Sequence, residues 1–171
     1  EMVLDHACVT AGDLLYPGEE AWPIPIIPLE INIIQHPLPK PKRCYDLGRA
    51  LGRAIESEGS DRKVLIVASG GLSHQISKGG YINRDFDAMC MDKIVSDPEG
   101  LTQYSNLEWI DLAGAQGREF MTWLAMRGAI KGGLQLKAST YHAPLSHTGG
   151  AVMLLDTRQA EIPVEQLESV G

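Results

Sequence analysis

The chain has 171 residues, 44% of them hydrophobic and 22% charged, the proportions of one soluble globular domain with its own core. A net charge of −7, with no basic stretch beyond Lys40-Pro41-Lys42-Arg43, argues against nucleic acid or an anionic membrane as partner. No apolar run approaches the roughly 20 residues of a membrane span. The start lacks the basic and apolar regions of a signal peptide. The three cysteines, Cys8, Cys44 and Cys90, fit neither a disulfide framework nor a cysteine zinc site, and a reducing cytoplasm suits them.

Taken in chain order, residues 1–23 read as loop with short helical turns, closed by Trp22-Pro23. Residues 24–34 are β-rich. Pro25 and Pro28 demote the first half to an edge, so 29–34 is the expected strand. A polyproline-like connector, HPLPKPK, follows. Over 43–58 the apolar residues Leu47, Ala50, Leu51, Ala54 and Ile55 keep a helical period, and Gly59 stops the helix. Residues 63–68 form a short continuous apolar run, the pattern of an interior strand. Strand, helix and strand in this order predict a right-handed parallel crossover. Ligands of such sheets bind at the carboxyl ends of the strands.

Asn83 caps the next predicted helix, Asp85 and Asp87 suit its first turn, and Ser96-Asp97-Pro98 ends it. Helical segments are expected around 99–104 and 115–126. Strands are expected at 139–143 and 150–155, around the loop 144–149. The polar residues from 157 on read as a tail or linker, which sets the domain at 1–156. The expected fold class is α/β, a central mostly parallel or mixed sheet flanked by helices.

Two residues stand out chemically. His74 follows the Gly70-Gly71 hinge at the end of the 63–68 strand. Glycines permit close backbone approach there, and imidazole is the commonest acid–base group near neutral pH. A loop histidine that only bonds to backbone is the plain alternative. This Gly-Gly pair is not a phosphate loop, because neither glycine-rich spacing is present. Glu119 shares a helical stripe with Trp123 and Met126, so its carboxylate is expected to be partly buried. A buried carboxylate needs a cation or several donors. An ion pair with Arg118 or a lysine and a role as metal ligand both stay open. His6, His36, His142 and His147 have no metal-motif spacing. A serine hydrolase using Ser69 or Ser73 is disfavoured, because G-x-S-x-G is absent from G-G-L-S-H.

Five motifs fall in one order: SGGLSHQ (69–75), GYINRDFD (80–87), KIVSDPEGL (93–101), GREFMTWLAMRGAI (117–130) and YHAPLSHTGGAVML (141–154). Together they resemble the class III extradiol ring-cleavage dioxygenases of the protocatechuate 4,5-dioxygenase type, which include gallate and 3-O-methylgallate dioxygenases. The resemblance runs from about residue 5 to about 155. It implies an α/β fold holding a non-haem Fe(II) on a two-histidine, one-carboxylate triad, and extradiol cleavage of a protocatechuate- or gallate-type catechol by O2. Residue by residue, it implies Glu119 as iron ligand, His74 as acid–base catalyst, and His6 (after Asp5), Ser146 and His147 as substrate contacts. The family's Ser-Asn is Ser-His here, which leaves the ring substituent open.

The family's two iron-binding histidines lie in the N-terminal half of its domain, upstream of the part matched here. None of the five histidines stands at their positions. The missing half is expected from a longer polypeptide or from a complementary chain, and the start at Glu1, in what reads as running sequence, favours the former. A small second subunit and an oligomer also fit the family. The competing reading is a non-catalytic, dioxygenase-like binding domain.

Overall fold

The computed structural model describes residues 4–75, 82–144 and 147–157. Six helices and one hairpin follow in order: α1 (His6–Leu15), α2 (Pro41–Ser57), α3 (Arg84–Ser96), α4 (Pro98–Leu101), α5 (Asn106–Ala113), α6 (Met121–Ala129), β1 (Leu134–His142) and β2 (Gly150–Thr157). A 3-10 turn, Gln116–Phe120, leads into α6. The α/β class is as expected, but the described sheet is antiparallel and two-stranded.

Residues 29–34 and 63–68 take no strand pairing among the described residues, so the predicted parallel crossover does not form. Ile31, Ile33 and Ala68 pack part of their surface on the core, whereas Leu29, Ile34, Val64, Leu65 and Val67 are each more than half exposed. Apolar composition makes a strand only where a neighbour supplies the ladder, and the described residues supply none to either segment. The start of the chain also differs from expectation. Residues 6–15 are a full helix, capped by Asp5, whose carboxylate accepts from the Ala7 N–H at 2.8 Å.

Helix α2 forms almost where its periodicity places it, yet it buries another face. Cys44, Gly48 and Gly52 are buried, while Leu47 is 40% exposed. The reason is a close crossing with α6. A Cβ on Gly48 would lie 1.9 Å from the Ala125 carbonyl oxygen, one on Gly52 2.3 Å from that of Ala129, and one on Gly128 2.2 Å from that of Tyr45. Small residues on both helices let the backbones touch. Gly48→Ala therefore cannot gain the usual helix-propensity benefit of about 0.5–1 kcal/mol. Overpacking that forces the backbones apart costs about 1–3 kcal/mol. A net loss of stability is expected in chemical denaturation of the complete protein, and a raised midpoint would contradict this crossing.

Five aromatic rings, Tyr104, Phe86, Trp109, Phe120 and Trp123, fill the core in edge-on and stacked contacts with centroids 5.1–5.9 Å apart. Helix α5, which the periodicity did not separate, is announced by a capping box: Ser105 and Glu108 satisfy each other's backbone N–H groups. The hairpin packs Tyr141, Ala151 and Met153 on the core and leaves Val152 and Leu154 outside. No described helix is long and apolar enough to cross a membrane. The expected boundary at 156/157 adjoins the end of β2, and the tail from 158 lies outside the described residues.

Candidate active site

The 69–71 segment is stitched to the start of α6 by three hydrogen bonds. Thr122 Oγ1 donates to the Ser69 carbonyl at 2.7 Å, and Trp123 Nε1 donates to the Gly70 carbonyl at 3.2 Å. The Gly71 N–H donates to Glu119 Oε2 at 2.9 Å. The approach is so close that only glycine fits. A Cβ on Gly70, at φ +143°, would sit 2.8 Å from Glu119 Cβ. A Cβ on Gly71 would sit 2.7 Å from His74 Cε1 and 3.7 Å from Glu119 Oε2. The hinge therefore brings the Glu119 carboxylate and the His74 ring to one place.

His74 is buried, at 6% exposure, and held on both sides. Its N–H donates to the Ala113 carbonyl at 2.8 Å, and it forms a β-bridge with Thr148. Nδ1 lies 3.0 Å from the Leu72 carbonyl. A carbonyl only accepts, so Nδ1 carries the proton in the neutral ring. The lone pair is left on Nε2, which stands 3.8 Å from Glu119 Oε1. Glu119 is about one-third exposed, and among the described residues no lysine or arginine pairs with it. Arg118, the cation expected beside it, turns away and donates to the Pro39 carbonyl at 3.0 Å. Among the described residues, Arg118 therefore does not form the ion pair expected of it with Glu119.

The site holds a second carboxylate that the sequence motifs do not point to. Asp87 on α3 is 1% exposed. Its Oδ1 accepts the Ser73 N–H at 2.8 Å, and its Oδ2 accepts the hydroxyls of Ser73 at 2.7 Å and Tyr141 at 2.8 Å. Burial first, and then the hydrogen bond to Asp87, push the Tyr141 phenol up to about 12, so it remains a donor. The signal was present in sequence: Asp87 shares its helical face with Cys90 and Ile94, both buried. The buried, engaged hydroxyl of Ser73 is not presented as a nucleophile, which removes that half of the hydrolase alternative.

The other expected contacts are less gathered. His147, exposed and at φ +58°, directly precedes Thr148, the bridge partner of His74. The Gly149 N–H donates to the Ser73 carbonyl at 2.8 Å, so the 147–149 segment runs alongside the histidine mount. Ser146 lies outside the described residues. His6 opens α1, is exposed, and pairs with Asp5 at 3.2 Å; no described hydrogen bond or ion pair joins it to Glu119 or His74.

The Glu119 carboxylate has one anchored and one open oxygen. Oε2 is anchored to the hinge and Oε1 is left without a hydrogen bond among the described residues, the arrangement of a monodentate carboxylate. Among the described residues no group of three histidine, cysteine, aspartate or glutamate side chains could hold a metal.

Residues 1–154 match a family model described as the catalytic LigB subunit of aromatic ring-opening dioxygenase. The chain is 43% identical over 162 residues to a gallate dioxygenase of Pseudomonas putida, covering 94% of this chain and 47% of that protein. It is 38% identical over 74 residues to a 2,3-dihydroxyphenylpropionate/2,3-dihydroxicinnamic acid 1,2-dioxygenase of Paraburkholderia phymatum, and equally to one of Rhodococcus globerulus. These matches cover 43% of this chain and 22% of each relative. The chain thus spans about half the length, or less, of the relatives it matches.

Proposed function

This chain belongs to the family of catalytic LigB subunits of aromatic ring-opening dioxygenases, and from that premise we propose that the polypeptide carrying it opens the ring of a catechol-type aromatic acid with O2, extradiol fashion, at a non-haem Fe(II). Protocatechuate, gallate and 3-O-methylgallate are the candidate substrates. The observation that carries this reading is the meeting of Glu119 and His74, remote in sequence, with Oε1 and Nε2 3.8 Å apart and no lysine or arginine of the described residues paired with either. Glu119 is the ligand this chain contributes. When bound, the Fe(II) supplies a Lewis acid and an electron source for adjacent ring hydroxyls and O2. His74 accepts the proton of one hydroxyl on Nε2 and later returns it, its Nδ1–H held by the Leu72 carbonyl throughout. His147, next to the bridge partner of His74, is assigned to the substrate, and so are Ser146 and His6.

The remaining metal ligands come from the part of the domain this chain does not contain, in the same polypeptide or a complementary one. The exposed apolar runs support this. Val64, Leu65 and Val67, with Val152 and Leu154 on the outer face of β2 and Leu47 on α2, form surfaces of the kind that another strand or sheet covers.

A second reading, a dioxygenase-like domain that binds a phenolic acid without catalysis, is favoured by the single ligand found among the described residues. Anaerobic Fe(II) reconstitution of the complete polypeptide separates the two. The expected result is one iron per chain and O2 uptake stoichiometric with loss of the aromatic absorbance of one of the three acids. Binding of an acid with neither iron uptake nor O2 consumption would establish the second reading instead.

A further inference from the structure

We propose that Asp87 is the positioning residue of the site, fixing the His74 ring through a clamp on Ser73. The inference rests on the role proposed for His74. Ser73 is fully buried, and each of its polar groups is engaged: N–H and Oγ on Asp87, Oγ also accepting the Asn83 N–H at 2.8 Å, and the carbonyl accepting the Gly149 N–H. The residues on either side complete the mount. The Leu72 carbonyl fixes His74 Nδ1, and the Leu72 N–H donates to the Gly149 carbonyl at 3.1 Å. Among the described residues, the carboxylate bonded to Ser73 is that of Asp87. It joins α3, the 72–74 turn and, through Tyr141, β1.

The carboxylate is needed for its chemistry as well as its shape. Asp87 Oδ2 accepts two hydroxyl protons at once, from Ser73 and Tyr141. The amide introduced by Asp87→Asn retains one acceptor, enough for the Ser73 N–H, and presents a donor where both hydroxyls donate. Ser73 Oγ already accepts from Asn83, so its proton is left without a buried acceptor. The 72–74 turn then relaxes, and the Leu72 carbonyl no longer holds one tautomer of His74. Gly149 adds to the constraint, since a Cβ there would lie 2.5 Å from Asp87 Oδ2 and 3.1 Å from the Ser73 carbonyl oxygen. A side chain at position 149 would displace the clamp.

The test uses the complete polypeptide and two readouts. In the iron-free protein, long-range proton–nitrogen NMR of the His74 ring is expected to show one tautomer, protonated at Nδ1, in the wild type and in Tyr141→Phe. A mixture is expected in Asp87→Asn. In the reconstituted protein, Asp87→Asn is expected to lower kcat about 10–100-fold, the usual consequence of losing an orienting partner, with KM and iron content near wild type. Should Asp87→Asn not fold, Ser73→Ala removes the hydroxyl half of the clamp and is expected to shift the same two readouts in the same direction. Asp87→Asn, or in its place Ser73→Ala, with a wild-type His74 tautomer and wild-type kcat overturns the proposal. A wild-type protein that opens no ring defeats the proposed activity, while the NMR readout still decides the clamp.

Discussion

Glu119→Ala in the complete polypeptide is expected to lose stoichiometric Fe(II) binding, and ring opening with it. The argument is geometric before it is chemical. The carboxylate is aimed by one bond, from the Gly71 N–H to Oε2, and its other oxygen carries no competing hydrogen bond among the described residues. Among the described residues no lysine or arginine neutralises it, so as a structural group it would be a poor solution. Loss of an orienting neighbour of a metal ligand typically costs 10–100-fold in affinity. Loss of the ligand itself should exceed about 100-fold on that scale. Glu119→Gln isolates the cause, because its amide oxygen can still accept from Gly71 while ligating poorly. Both variants should therefore lose iron, and Glu119→Gln should keep the wild-type melting temperature more closely than Glu119→Ala. A Glu119→Ala protein that takes up one iron per chain at wild-type affinity removes Glu119 from the metal-binding residues.

The sequence carried the local signals well and the long-range ones poorly. Helix α3 begins at its Asn83 cap, whose side chain accepts the Phe86 N–H at 3.1 Å, and the hairpin falls on both predicted strands. These are decisions made within a few residues. The strands at 29–34 and 63–68 were read from composition, but pairing is a property of the neighbour, and the described residues offer none. The face of α2 was misassigned for a related reason. Hydrophobicity ranks Leu47 above Gly48, whereas a backbone-to-backbone crossing with α6 selects the residue with no side chain.

The site shows the same division. His74 and Glu119 were singled out from local context, and the motifs supplied their pairing. That they meet follows from Thr122, Trp123 and Gly71 stitching two segments together, which no local pattern states. Asp87 was read as a helix N-terminal charge, because first-turn acids usually serve the dipole. Its burial, and its acceptance of three hydrogen bonds, place it under the histidine instead.

His74→Ala is expected to separate chemistry from metal binding. Among the described residues the side chain makes a single hydrogen bond, to the Leu72 carbonyl, whereas its backbone makes the links that hold the turn: N–H to the Ala113 carbonyl and the bridge to Thr148. Removing the ring leaves both backbone links in place, together with the Gly71 bond that aims Glu119. Iron content should therefore stay at the wild-type level, and KM should change little. Turnover should fall about 10²–10⁴-fold, the range for loss of a general acid–base group, because the described residues offer no other imidazole nitrogen within 4 Å of Glu119. His74→Gln, which keeps a polar side chain but accepts no proton at neutral pH, should be as slow as His74→Ala. If His74→Gln turns over at the wild-type rate with iron bound, proton transfer through Nε2 is not part of the reaction, and the ring serves only to close the turn against Leu72.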